Sequence, residues 1–148
     1  MDPEAELETF IARFSDPIAR EVRAIRAEMR AVLPGALELV YDNYNALAIG
    51  YSPSERASDM VFSIAAYPRW VSLFLVGGPR LNDPTGLLKG TGGTMRHIVL
   101  AGQDPLSQPA VRDLMAQAIA MAGNPFDGAQ PTRTIIKSIS AKQRPRRP

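Results

Sequence analysis

Residues 60–76, MVFSIAAYPRWVSLFLV, leave this chain little choice of architecture. Two short runs, rich in β-branched and aromatic residues, flank Tyr67-Pro68-Arg69-Trp70. Both are too short for ordinary helices, so they read as paired strands at the centre of a sheet. With Tyr67 facing Trp70 across the turn, Ala66 faces Val71, Ile64 faces Leu73 and Phe62 faces Leu75. That face is wholly apolar and must meet helices. The other face sets Ala65 against Ser72 and Ser63 against Phe74, mixing aromatic rings with small polar groups. A slip of one residue would exchange the two faces, so the pattern specifies its own register. Proline near −65° cannot supply the positive φ of a two-residue hairpin turn, which favours a four-residue loop from Tyr67 to Trp70.

The rest of the chain supplies the partners. Pro3–Phe14 is predicted as a short helix, with Leu7, Phe10, Ile11 and Phe14 on one face. Asp16 reads as the cap of a second helix, Pro17–Val32, because proline suits a first helical position. Its apolar stripe is Ile18, Val22, Ile25, Met29 and Val32; Arg20, Arg23, Arg26 and Arg30 occupy other faces. Leu37–Asp42 and Leu47–Tyr51 are predicted strands joined by an Asn43-Tyr44-Asn45 turn. A short helical turn is placed at Pro84–Leu88 and a strand at Thr94–Ala101. Ser107 is expected to cap a last helix, Gln108–Met121, and Thr134–Ser140 to form an edge strand. Residues 1–131 thus read as one α+β domain of two layers. Helices pack on one face of an antiparallel sheet of five or six strands. Residues 132–148 add the edge strand and a basic tail, AKQRPRRP, expected to be mobile.

The chain's 148 residues suit one domain with a real core. A charged content of 22% is ordinary for a globular protein. The absence of cysteine excludes disulfides, thiolate metal sites and cysteine nucleophiles, and fits a cytoplasmic location. The acidic N-terminus is unlike a secretory signal, and no apolar run approaches the roughly 18 residues of a membrane span. Net charge is +2. It is unevenly placed: residues 1–59 carry 6 basic against 11 acidic side chains, and residues 60–148 carry 11 against 4. The two halves can attract one another, or the basic half can attract an anion.

Four segments carry a resemblance: ELVYDNYNALAIGY (Glu38–Tyr51), FSIAAYPRWVSLFL (Phe62–Leu75), GLLKGTGGTMRHIVL (Gly86–Leu100) and IIKSISAKQRPRRP (Ile135–Pro148). Together they resemble the YdhG-like family, a domain of unknown function, over nearly the whole chain. The resemblance implies helices against an antiparallel sheet. It brings no catalytic residues, although some members carry a frataxin-like iron-chaperone label.

Candidate chemistry is sparse. Lys89-Gly90-Thr91-Gly92-Gly93-Thr94 offers backbone N–H groups to an anion, with Lys89 and Arg96 as charges. It matches neither the phosphate-loop nor the dinucleotide pattern, and a plain connection into a strand is its simpler reading. His97, the single histidine, has no partner cluster to make it a base or ligand. Asp42 to Asn45 could hold a ligand or simply turn the chain, as Asn and Asp do. Glu4, Glu6 and Glu8 are spaced by two, with Glu6 off the face of the other two, and read as a solvated surface rather than an iron site. The basic tail, without interleaved aromatics, would touch nucleic acid only unspecifically. The expected site is therefore the aromatic-polar sheet face, with Tyr67, Trp70, Ser72 and Asn45 lining it and Lys89, Gly92 and Arg96 supplying donors. The expected function is a non-enzymatic module for a small or anionic ligand, with no cofactor and no metal. An iron-handling protein is the alternative by family analogy, and a homodimer through the sheet face or edge strand is the other.

Overall fold

The computed structural model describes residues 1–148. The helices are α1 (Pro3–Ile11), α2 (Asp16–Val32) and α3 (Pro109–Met121). The strands are β1 (Leu37–Asp42), β2 (Leu47–Ser52), β3 (Phe62–Ala66), β4 (Val71–Val76), β5 (Met95–Leu100) and β6 (Thr134–Ile139). They form one six-stranded sheet in the order β5-β4-β3-β2-β1-β6. The β3–β4 hairpin has the register that alternation specifies, from Phe62 opposite Leu75 to Ala66 opposite Val71. Its loop closes through the Tyr67 N–H donating to the Trp70 carbonyl at 2.9 Å, with the two rings stacked 4.6 Å apart.

All three helices lie on one face. Leu7, Ile11, Val22, Met29, Leu114 and Met115 from the helices share a core with Ile49, Ile64, Ala66, Leu73, Leu75 and Ile98 from the sheet. α1 starts at an Asp2 cap whose carboxylate accepts from the Ala5 N–H at 2.8 Å. α2 begins one residue earlier than its proline suggests, with Ser15 rather than Asp16 in the capping position.

Several details depart from the sequence reading. The edge strand β6 runs parallel to β1, so the sheet is mixed; the other four pairings are antiparallel. The chain returns to the β1 edge only after leaving β5 at the opposite edge and crossing through α3, and it enters β6 parallel to β1. Pro84–Leu88 is not helical, because the Asp83 carboxylate takes the Leu87 and Leu88 N–H groups at 2.9 and 2.8 Å. Ser107 does not cap α3; it ends a 3-10 turn, Pro105–Ser107, and α3 starts at Pro109 behind Gln108. Arg26, although off the apolar stripe, is buried, and the tail is not free but docked.

The last two corrections share one cause. On β1, Glu38, Val40 and Asp42 occupy the helix-facing side, and both acids are fully buried. Glu38 accepts from Arg26 Nε (2.8 Å) and Nη2 (2.9 Å), Arg30 Nη2 (2.6 Å), Tyr51 Oη (2.8 Å) and Thr134 Oγ1 (3.0 Å). The clip joins α2, β1, β2 and β6, and Glu4 adds α1 through Arg26 Nη2 at 2.6 Å. Burial works to raise the Glu38 carboxyl, and the hydrogen bonds from Arg26 and Arg30 overcome it, leaving it below the ordinary value. Glu4 is held at about 2 by its hydrogen bond from Arg26, against the opposing effect of burial.

Asp42 is the anchor of the tail. Arg146 Nη2 donates to Asp42 Oδ1 at 2.9 Å and to the Asn43 carbonyl at 2.6 Å. Gln143 Nε2 and Arg13 Nη2 both donate to Oδ2. Arg146 is buried with its guanidinium 5.7 Å from the centre of the Phe14 ring. The Arg144 N–H donates to the Tyr44 carbonyl at 2.9 Å. The reading of a mobile tail fails because one buried carboxylate collects three donors, two of them charged.

Candidate functional site

The face of the sheet away from the helices forms an open trough of about 650 Å³. Its floor is small: Ala48, Gly50, Ser63, Ala65 and Ser72 lie side by side through the β2–β3 and β3–β4 registers. Its walls are large: Tyr41, Tyr44, Tyr67 and Phe74, with Met60 and Met95. A Cβ on Gly50 would collide with Met60 Sδ, so glycine is what lets Met60 fold over that end of the floor. Polar contacts come from Asn43, Asn45 and Ser140 at the margins and from Ser63 in the floor. Alternation places Leu37, Leu39, Tyr41, Ala48, Gly50, Ser52, Ser63, Ala65, Ser72, Phe74, Val76, Met95, His97 and Val99 on this side of β1 to β5. None of them is Asp, Glu, Lys or Arg. A solvated antiparallel face ordinarily alternates to charged or polar side chains.

The expected site residues divide among several places. Tyr67 and Asn45 line the trough, and Ser72 is buried in its floor. Trp70 stacks on Tyr67 but stands 42% exposed and faces a second cavity on the helix side. Arg96 is opposite Leu75 on the helix-facing side of β5, close against Gly78, and its guanidinium donates to the Gly92 and Met95 carbonyls. It therefore does not join the aromatic face. Lys89 makes a two-bond bridge with His97 (2.8 and 3.0 Å), which extends the sheet by one residue beyond β5. Gly92 is exposed in the loop beyond it. Sequence reasoning missed the place of His97, whose ring stacks on Phe74 with centroids 5.1 Å apart. The clue lay in its parity with Met95 and Val99. It also passed over Tyr41, Met60 and Met95, and the first of these is legible from the period of β1.

The second cavity, about 940 Å³, lies between α2, the β3–β4 loop and residues 99–105. Arg20, Glu21, Glu28, Arg69 and Asp104 line it without forming an ion pair among themselves. Both Glu28 carboxyl oxygens are shut off from solvent with no hydrogen-bond partner. Burial pushes the Glu28 carboxyl above the ordinary 4.5, with Asp104 adding to the rise. A carboxyl raised on folding binds its proton more tightly in the native state, so its contribution falls as pH rises above about 4.5. Glu28→Gln is expected to raise the melting midpoint at pH 7 and to leave it unchanged near pH 3. A midpoint at pH 7 equal to or below that of the parent would contradict this account of the cavity.

No group of three or more His, Asp or Glu side chains is placed to hold a metal ion. No helix is long and apolar enough to cross a membrane. No family model, no curated protein and no solved structure matches the chain.

Proposed function

We propose that this protein is a YdhG-like binding module whose sheet trough seats a small, ring-bearing ligand, uncharged where it meets the floor. The observation that carries the reading is the run of small side chains between aromatic walls, with no charged residue in the trough's lining. Apolar walls with few placed polar groups characterise small-ligand sites. Tyr41, Tyr67 and Phe74 offer ring faces, and Asn43, Asn45 and Ser63 offer donors and acceptors. The lining holds no acid–base pair and no activated nucleophile, which favours binding over catalysis. The recess itself favours a small ligand over a second copy of the chain, since two such troughs face to face would leave their floors unfilled. The iron-handling alternative requires carboxylates gathered in space, and the side chains provide no such group.

The test is thermal melting against neutral rings (indole, adenine, nicotinamide), with parallel sedimentation to follow association. A ligand at 100 times its dissociation constant stabilises the native state by about 2.7 kcal/mol. For a chain of this size each kcal/mol moves the midpoint by roughly 2–4 °C. Ala65→Phe, which fills the floor from its centre, is expected to abolish the shift while retaining the fold. A shift that survives Ala65→Phe would place binding elsewhere. A concentration-dependent dimer dissociated by the same variant would transfer the face to a second copy.

A further inference from the structure

We propose that the docked C-terminal tail builds an oxyanion site for a phosphate group, separate from the trough, at the junction of α1, the end of β1 and residues 143–147. The cavity there measures about 370 Å³ and is lined by Arg13, Gln143, Arg144, Pro145, Arg146 and Arg147, with no apolar side chain other than the proline. Of the four guanidinium groups in this lining, Arg13 and Arg146 pair with a carboxylate, that of Asp42, and Arg144 and Arg147 pair with none.

That carboxylate is used up inside the fold. Asp42 is 1% exposed at its side chain, its Oδ1 is taken by Arg146, and its Oδ2 is taken by Arg13 and Gln143. Arg144 and Arg147 are exposed and have no carboxylate partner. Arg144 lies over the Tyr44 ring at 5.6 Å, and Arg147 Nε donates to the Arg13 carbonyl at 3.3 Å, so both stems are held. The second, independent observation is Arg146. Its side chain is 3% exposed, yet its Nε and Nη1 have no hydrogen-bond partner. Leaving charged donors buried and unsatisfied is costly, and an oxyanion in the cavity would bring compensating charge to them. Guanidinium forks match the paired oxygens of a phosphate, and their arrangement on a docked segment lowers the ordering cost of binding. Pro145, fixed in φ, stiffens the turn between Arg144 and Arg146.

The experiment titrates inorganic phosphate into the full chain at constant ionic strength, following phosphorus resonance broadening and the melting midpoint together. Saturable binding is expected, weakening as chloride is raised, because exposed charges are screened within about 8–10 Å at ordinary salt. The double variant Arg144→Gln, Arg147→Gln should lower the affinity at least tenfold while keeping the parent's melting midpoint, since neither side chain holds Asp42. Ala65→Phe should leave phosphate binding unchanged, which separates this site from the trough. Non-saturating broadening, or an affinity unmoved by the double variant, would overturn the assignment.

Discussion

Replacing Glu38 by alanine is expected to lower stability by about 3–5 kcal/mol, the loss typical of breaking a buried ion pair from one side. The carboxylate is wholly buried and accepts from two arginines, a tyrosine and a threonine drawn from α2, β2 and β6. Its removal leaves Arg26, itself 8% exposed at the side chain, with the half-exposed Glu4 at 2.6 Å and Glu8 at 3.9 Å as its remaining carboxylates. Since domains of this kind are stable by only about 5–15 kcal/mol, the variant should sit near the edge of folding. Tyr51→Phe, which removes one donor to Glu38 and keeps the ring, should cost about 1–3 kcal/mol by comparison. The parent's acid limb gives the same clip a second readout. Glu4 and Glu38 both titrate below their ordinary 4.5, so their stabilisation is complete above that pH and is lost as pH falls toward 2. Urea titrations from pH 7 to pH 2 would show it. A Glu38→Ala protein with parent-like stability at neutral pH, or one as acid-sensitive as the parent, would remove Glu38 from the centre of the fold.

The second large effect is expected at the tail. Arg146→Ala should cost about 3–5 kcal/mol, because it leaves the Asp42 carboxylate buried with Arg13 as its remaining charged partner. Asp42→Ala should be similarly damaging, since it leaves the Arg146 guanidinium sealed against Phe14 with only the Asn43 carbonyl. The two losses should not add. A double variant less destabilised than the sum would yield a coupling of about 0.5–3 kcal/mol for residues in one network. Additive losses, or a tail truncation after Ser140 that leaves the denaturant midpoint in place, would show that the docked arrangement contributes nothing to stability.

The hairpin was legible in the sequence because two strands on either side of a proline-containing loop carry the same alternation, and only one register satisfies both. The helices were legible from their apolar spacing. The phase of β1 was not: in LELVYD, acids at two of the three positions on one side (Glu38 and Asp42, with Val40 between) point by pattern alone to solvent. They face the core because Arg26 and Arg30 on α2 and Arg146 in the tail come from elsewhere in the chain to meet them, and no local period encodes such a meeting. The direction of β6 was hidden for the same reason, since a lone terminal strand carries no turn to orient it. In the trough, Tyr67, Ser72 and Asn45 could be read from the hairpin and its neighbour. Arg96 could not be kept with them once strand parity placed it beneath the sheet, and the arginine cavity required knowing that the tail comes home.

The pairing of β6 with β1 also has a meaning in time. Thr134 joins Glu38 across 96 residues, so a ribosome making about 5–20 residues per second leaves β1 without its neighbour for roughly 5–20 s. Throughout that interval the newborn sheet presents an unpaired edge containing Leu37, Leu39 and Val40, the kind of template that recruits other strands. The arginines of α2 are already present by then and can engage Glu38 early, while the far end of the same strand, at Asp42, waits for Arg146. A newborn chain is therefore most open to misassembly at one end of one strand, and it is there that a chaperone would find its longest opportunity.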